Sequence, residues 1–166
     1  MPAIQRITPC LWFDDQAEEA VGFYASIFPR SRVVAMARYG EEGREIHGKP
    51  PGSVLSVSFE LDGQAFTALN GGPLFRFTEA VSLQVVCETQ AEVDHYWARL
   101  AEGGKPEAQQ CGWLKDRYGL SWQVLPRVLM EMIREPVSEK SERVMKALFP
   151  MKKLDIGALE RAYAGR

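Results

Sequence analysis

Side chains able to carry nucleophilic, acid–base or metal chemistry are sparse and scattered in this 166-residue chain. Its two histidines, His47 and His95, cannot furnish a three-histidine metal centre and argue against a Ser–His–Asp triad. The three cysteines, Cys10, Cys87 and Cys111, are odd in number and widely separated. They form no CxxC pair, so neither a zinc knuckle nor a thioredoxin-type site can be built from them, and they read as reduced thiols. Two Gly-Gly pairs could in principle cradle a nucleoside cofactor. Gly71-Gly72 runs straight into Pro73, however, and Gly103-Gly104 ends a helical pattern instead of opening one. Neither makes the strand-to-helix turn that a common S-adenosylmethionine enzyme requires. No cofactor is therefore expected.

The rest of the composition bounds the class. With 46% hydrophobic and 25% charged residues, the chain has the make-up of an ordinary globular protein. A net charge of −2 gives no electrostatic reason for nucleic-acid or anionic-membrane binding. No apolar run approaches the roughly 20 residues that span a bilayer. The opening residues lack the basic-then-apolar pattern of a secretory signal, and cytoplasm is the expected location.

Periodicity divides the chain into elements. Residues 4–13 read as a strand, followed by Asp15 and Glu18 as a capping box. Ala17, Ala20, Val21, Tyr24, Ile27 and Phe28 lie on one helical face that Pro29 ends. Strands follow at 31–39, 53–61 and 64–69, the last two joined by Asp62-Gly63, a strong hairpin signal, and residues 40–52 form a loop. The order β-α-β-β-β then recurs: a strand at 80–87, a capping box at Thr89 and Glu92, and a helix through Ala101 that stops at Gly103-Gly104. A short strand is expected within 105–110, then a hairpin of 112–115 with 120–125. After Pro126 the texture becomes helical, with segments at 128–134, 138–148 and 155–164, the last capped by Asp155. This extension carries +3 against −5 for residues 1–126. The expected organisation is a domain at 1–126, with modules at about 3–72 and 79–126, and a helical extension at 127–166.

Particular stretches sharpen this reading: Ile7 through Phe13, Ala17-Glu18-Glu19-Ala20 with Phe23-Tyr24, Leu69 through Pro73, Glu79 through Leu83, Asp94 through Trp97, and Cys111 through Gln123. Together they resemble the PhnB-like group, which carries the label "3-demethylubiquinone-9 3-methyltransferase", within the vicinal oxygen chelate superfamily of glyoxalases, extradiol dioxygenases and fosfomycin resistance proteins. The likeness extends into the tail at Lys152 through Ile156. It implies an α+β fold of two paired modules forming a cupped, incomplete barrel. It also implies a homodimer, for which the apolar Val144, Leu148, Ile156 and Leu159 of the tail would supply a surface.

In that superfamily His and Glu side chains project inward to hold a metal. The resemblance maps those positions onto Thr8, Asn70, Ser82 and Gln123, all neutral hydroxyls or amides, which are poor ligands for a divalent ion. The expectation is a metal-free pocket between the modules that binds a small organic molecule. Its lining would be Thr8, Cys10, Trp12, Asn70, Ser82, Gln84, Trp113 and Gln123. The rival is an enzyme, either metal-dependent through residues such as His47, Glu60 or Glu79, or thiol-based through Cys10. Thiol chemistry would need a nearby cation, with Lys115 and Arg117 the candidates. A methyltransferase, as the group's label has it, is the remaining alternative.

Overall fold

A computed structural model describes residues 5–134 and 136–166. The architecture is α+β, with two separate sheets and six α-helices among the described residues. The chain divides into two compact units, one ending at Arg76 and one running Phe77–Arg166. No helix among the described residues is long and apolar enough to cross a membrane.

The first unit holds β1 (Cys10–Phe13), α1 (Ala17–Ala25), β2 (Arg32–Arg38), α2 (Arg44–His47), β3 (Val54–Leu61) and β4 (Gln64–Asn70). Its sheet has the order β1-β4-β3-β2, with β1 parallel to β4 and the other pairs antiparallel. Alternation sends Leu11, Phe13, Val57, Phe59, Phe66 and Ala68 into one buried face. Helix α1 packs on β3 and β4, and its Ala17, Ala20, Val21 and Tyr24 are buried. Asp62 and Gly63 both take positive φ, as the tight β3–β4 hairpin demands.

Three expectations are corrected here. The first strand is only four residues long, because residues 5–9 are not in a strand; Ile4 lies outside the described residues. The Asp15/Glu18 capping box does not form: the N-cap is Gln16, and no neighbouring side chain caps the helix. The 40–52 loop contains the single-turn helix α2, bracketed by Gly43 and Gly48 in the left-handed region.

The second unit contains β5 (Ser82–Cys87), α3 (Gln90–Ala101), β6 (Trp113–Lys115), β7 (Ser121–Pro126), α4 (Arg127–Arg134), α5 (Glu139–Leu148) and α6 (Ile156–Ala164). The capping box at Thr89 and Glu92 forms as expected, and Asp155 caps α6 by accepting from the Ala158 N–H. The sheet order is β5-β7-β6. No strand occupies 105–110; a 3-10 turn at Pro106–Ala108 stands there instead. Pro106 has no N–H to give a ladder, and Lys105-Pro106-Glu107-Ala108-Gln109-Gln110 contains no β-branched residue to favour one.

Beyond β7 the three helices build their own core from Leu129, Met132, Val144, Leu148, Leu154 and Leu159, against which Cys111 and Leu125 pack. The tail is also laced to the module. The Cys111 and Gly112 N–H groups donate to the Met151 and Lys152 carbonyls at 2.8 Å each. The Gln90 side chain donates to the Leu154 carbonyl and accepts from the Ile156 N–H. Gly112 has φ +84, and a Cβ there would meet the Val124 carbonyl at 2.9 Å, so only glycine permits this junction. Of the four tail residues expected to supply a surface, Val144, Leu148 and Leu159 are buried within this unit and Ile156 is half-buried.

Candidate functional site

In a strand, residues two apart share a face, and laterally paired residues share it too. On β5 that rule sets Ser82, Gln84 and Val86 against Leu83, Val85 and Cys87, the second set facing the side on which α3 packs. The register pairs Ser82 with Ser121, Gln84 with Gln123, and Trp113 with Gln123. Ser82, Gln84, Ser121, Gln123 and Trp113 therefore form one continuous patch on the face away from α3.

Their side chains are linked. Gln123 Nε2 donates to Ser82 Oγ at 2.8 Å, and Gln84 Nε2 donates to Gln123 Oε1 at 3.4 Å. Ser121 is 1% exposed, and its Oγ has no hydrogen-bond partner among the described residues.

Beside this patch lies a groove of about 860 Å³. Gln84, Val86, Trp113, Gln123 and Leu125 line it from the sheet; α4 contributes Leu129, Met130 and Ile133, and Met145, Leu148 and Phe149 come from α5 and its C-cap. Cys111, Arg127, Glu131 and Arg134 complete the lining. The volume falls in the range typical of small-molecule sites, and the composition, mostly apolar with a few convergent polar groups, fits one. Arg127 is paired with Glu88 at 2.5 Å.

Of the eight residues expected to line a pocket, the structure gathers Ser82, Gln84, Trp113 and Gln123. The other four, Thr8, Cys10, Trp12 and Asn70, belong to the first unit. Thr8 is exposed and precedes β1. Cys10 and Trp12 share the sheet face opposite α1. The Trp12 indole lies so close to Gly71 that a Cβ there would sit 2.2 Å from the ring, and its Nε1 donates to the Gly72 carbonyl at 2.9 Å. Asn70 points the other way. It is 5% exposed, its Oδ1 accepts from the Ala17 N–H at 2.8 Å, and its Nδ2 donates to the Val54 carbonyl at 3.1 Å. Asn70 thus supplies from β4 the cap that α1 lacks locally.

The donor set does not fit a metal. Among the described residues no three His, Cys, Asp or Glu side chains lie together so as to hold one. Glu60 is paired with Arg32 and Glu79 with Lys115. His47 Nδ1 accepts from the Lys49 N–H within the loop. Thiol activation also lacks support: partial desolvation pushes the largely exposed Cys10 thiol up, and the candidate cations are engaged, Lys115 with Glu79 and Arg117 with Glu102.

Sequence reasoning missed the groove's helical wall. The signal was present in Arg127 to Arg134, where Val128, Leu129, Met130, Met132 and Ile133 are more apolar residues than one buried face of an eight-residue helix can use. Leu129 and Met132 enter the core, and Met130 and Ile133 remain exposed beside the groove.

A family model described as 3-demethylubiquinone-9 3-methyltransferase matches residues 5–125. Among solved structures, the chain is 38% identical to the PhnB protein of Bacillus cereus, over 74% of this chain and 99% of that one, with a TM-score of 0.62. It is 21% identical to a Pseudomonas aeruginosa protein, over 75% of this chain and 98% of that one, with a TM-score of 0.56. It is 18% identical to the fosfomycin resistance protein FosX of Listeria monocytogenes, over 80% of this chain and 99% of that one, with a TM-score of 0.51. None of the curated proteins matches.

Proposed function

This chain belongs to the 3-demethylubiquinone-9 3-methyltransferase family, the PhnB-like group of the vicinal oxygen chelate superfamily, and on that footing we propose that it binds a small organic molecule without the help of a metal. The observation that carries the reading is the groove in the second unit, where an apolar trough meets the Gln84–Gln123–Ser82 hydrogen-bonded row. An apolar wall supplies binding energy of about 25 cal/mol for each Å² removed from water. The amides and hydroxyl fix orientation.

Binding is favoured over catalysis by what surrounds the groove. Its titratable lining consists of Cys111, Arg127, Glu131 and Arg134. Arg127 is engaged with Glu88, and the lining contains no histidine to serve as a general base. Methyl transfer, which the family's name specifies, finds no support in the glycine pairs. Gly71-Gly72 follow β4, and Gly103-Gly104 follow the end of α3. Neither opens a helix toward a nucleoside.

Titration with 8-anilinonaphthalene-1-sulfonate, read by fluorescence, tests the reading. The expected result is saturable binding at one site per chain, abolished in Val86→Trp, where an indole fills the trough from a position already 43% exposed. Absence of saturable binding, or equal binding by the variant, would overturn it. Elemental analysis of the purified protein is expected to find no stoichiometric metal.

A further inference from the structure

In the first unit, His47 is engaged at both of its ring nitrogens. Nδ1 accepts from the Lys49 N–H at 3.0 Å, and Nε2 lies 3.2 Å from the Glu42 carbonyl. A nitrogen that accepts from an amide N–H carries no proton of its own. The ring is therefore neutral, with its hydrogen on Nε2, where it donates to that carbonyl. It also stacks on Tyr39, the residue after β2, with centroids 4.4 Å apart. Tyr39 is anchored in turn, because its hydroxyl donates to the Asn70 carbonyl at 2.7 Å.

The importance of the Lys49 N–H follows from its neighbours. Pro50 and Pro51 have no N–H, so Lys49 supplies the one backbone donor between Gly48 and Gly52. His47 Nδ1 thus pins the returning limb of the 40–52 loop through the one backbone donor available in this stretch. The limb brings Lys49, Pro50 and Ser53 to a cavity of about 280 Å³ at the start of α1, lined as well by Asp15, Glu18 and Asn70. Lys49 Nζ donates to the Asp14 carbonyl at 3.1 Å, which ties the limb to the residues preceding the helix.

Protonation reverses the role of Nδ1. An imidazolium donates from both nitrogens and accepts at neither, so the Lys49 N–H would face another N–H. The surroundings offer this cation little in return. Among the described residues no carboxylate pairs with the ring: Glu42 meets it through its backbone carbonyl, Glu41 lies 3.9 Å from Arg44, and Glu45 is exposed. Of the nearby cations, Arg38 donates to the Gly52 carbonyl and to Met36 Sδ, and the Lys49 ammonium is taken by Asp14. The Tyr39 face attracts a cation, but it acts on the ring and not on the Lys49 N–H.

We propose that His47 is a proton-controlled latch. Neutral, it holds the 40–52 loop closed at the start of α1; protonated, it releases the limb from Lys49 to Ser53. Histidine is the side chain suited to such a change between about pH 5 and 8.

Amide hydrogen exchange of the full chain, followed by NMR and corrected for the intrinsic pH dependence of exchange, tests the latch. Protection of the Lys49 N–H is expected to fall about tenfold between about pH 7.5 and about pH 5.5, the scale of one lost hydrogen bond. The fall is expected to track the titration of the His47 ring signals, while the Phe59 N–H in the core keeps its protection. His47→Phe retains a ring to stack on Tyr39 but no acceptor, and is expected to hold Lys49 at the low level at both pH values. His95→Gln, which removes the other histidine, is expected to leave the fall in place. Protection of Lys49 that does not change with pH, high protection in His47→Phe, loss of the fall in His95→Gln, or a parallel fall at Phe59 would overturn the proposal.

Discussion

Replacing Asn70 by alanine separates a structural amide from a ligand-binding one. Asn70 Oδ1 accepts from the buried Ala17 N–H, and Nδ2 donates to the Val54 carbonyl. Helix α1 has no local side-chain cap, so alanine removes the acceptor that serves the Ala17 N–H at its N-terminus. Loss of a cap costs about 1 kcal/mol, up to about 2. The Val54 carbonyl, stripped of its donor in a partly buried setting, adds about 1–2 kcal/mol more. The expected sum is about 2–4 kcal/mol, or about 4–16 °C in Tm for a chain of this size. Asn70→Asp keeps the acceptor for Ala17 and places negative charge at a helix N-terminus, but forfeits the Val54 bond. It is expected to cost about half as much. Urea unfolding followed by circular dichroism measures both, and anilinonaphthalenesulfonate binding by the folded variants is expected to match that of the parent. An alanine variant within about 0.5 kcal/mol of the parent, or one that keeps its stability and loses probe binding, would refute the capping role.

Asp116 invites a second test. It is 2% exposed, Oδ1 accepts from the Tyr118 and Leu120 N–H groups, and Oδ2 accepts from Trp122 Nε1 at 2.8 Å. Asp116→Ala strands the indole donor in the core and is expected to cost about 3–5 kcal/mol in urea unfolding, whereas a loss below about 1 kcal/mol would mean that the turn holds without it. Cys87 bears on pH dependence. Burial, and secondarily the Glu92 carboxylate, push its thiol up to about 12. The unfolded thiol ionises first, so the stability it contributes is complete below its ordinary range and is lost as pH rises through about 12. Cys87→Ala is therefore expected to lose less stability than the parent between pH 8 and 11, and parallel curves would contradict the assignment. In the native protein at pH 8, Cys87 is also expected to resist iodoacetamide while the exposed Cys10 reacts, as peptide mass spectrometry would show.

Local patterns fixed much of the fold. Asp62-Gly63 specified a hairpin because few residues tolerate the positive φ that it needs, and Thr89 with Glu92 specified a helix start because both partners lie within one turn. Alternation made β3 and β4 legible from residues alone, while the α+β class came with the family resemblance, and the repeated order held except for the strand expected within 105–110. The failures came where partners distant in sequence decide. Asp15 and Glu18 carry a cap's signature, yet Asn70, 53 residues from Ala17, makes the bond. A single sequence does not show that contact.

The site divides in the same way. The residue types at Ser82, Gln84, Trp113 and Gln123 were legible. That they form one connected patch depends on the β5-β7-β6 register, which is set by pairing between strands far apart in the chain. The tail was legible as three helices with apolar faces. Its Val144, Leu148 and Leu159 could equally have covered a partner or their own unit, because amphipathicity states that a face must be buried and not against what. Tertiary packing made that choice. It closed the tail's core on itself, tied Cys111 and Gly112 to the backbone at Met151 and Lys152, and left Met130, Met145 and Phe149 as a wall beside the Gln84–Gln123–Ser82 row.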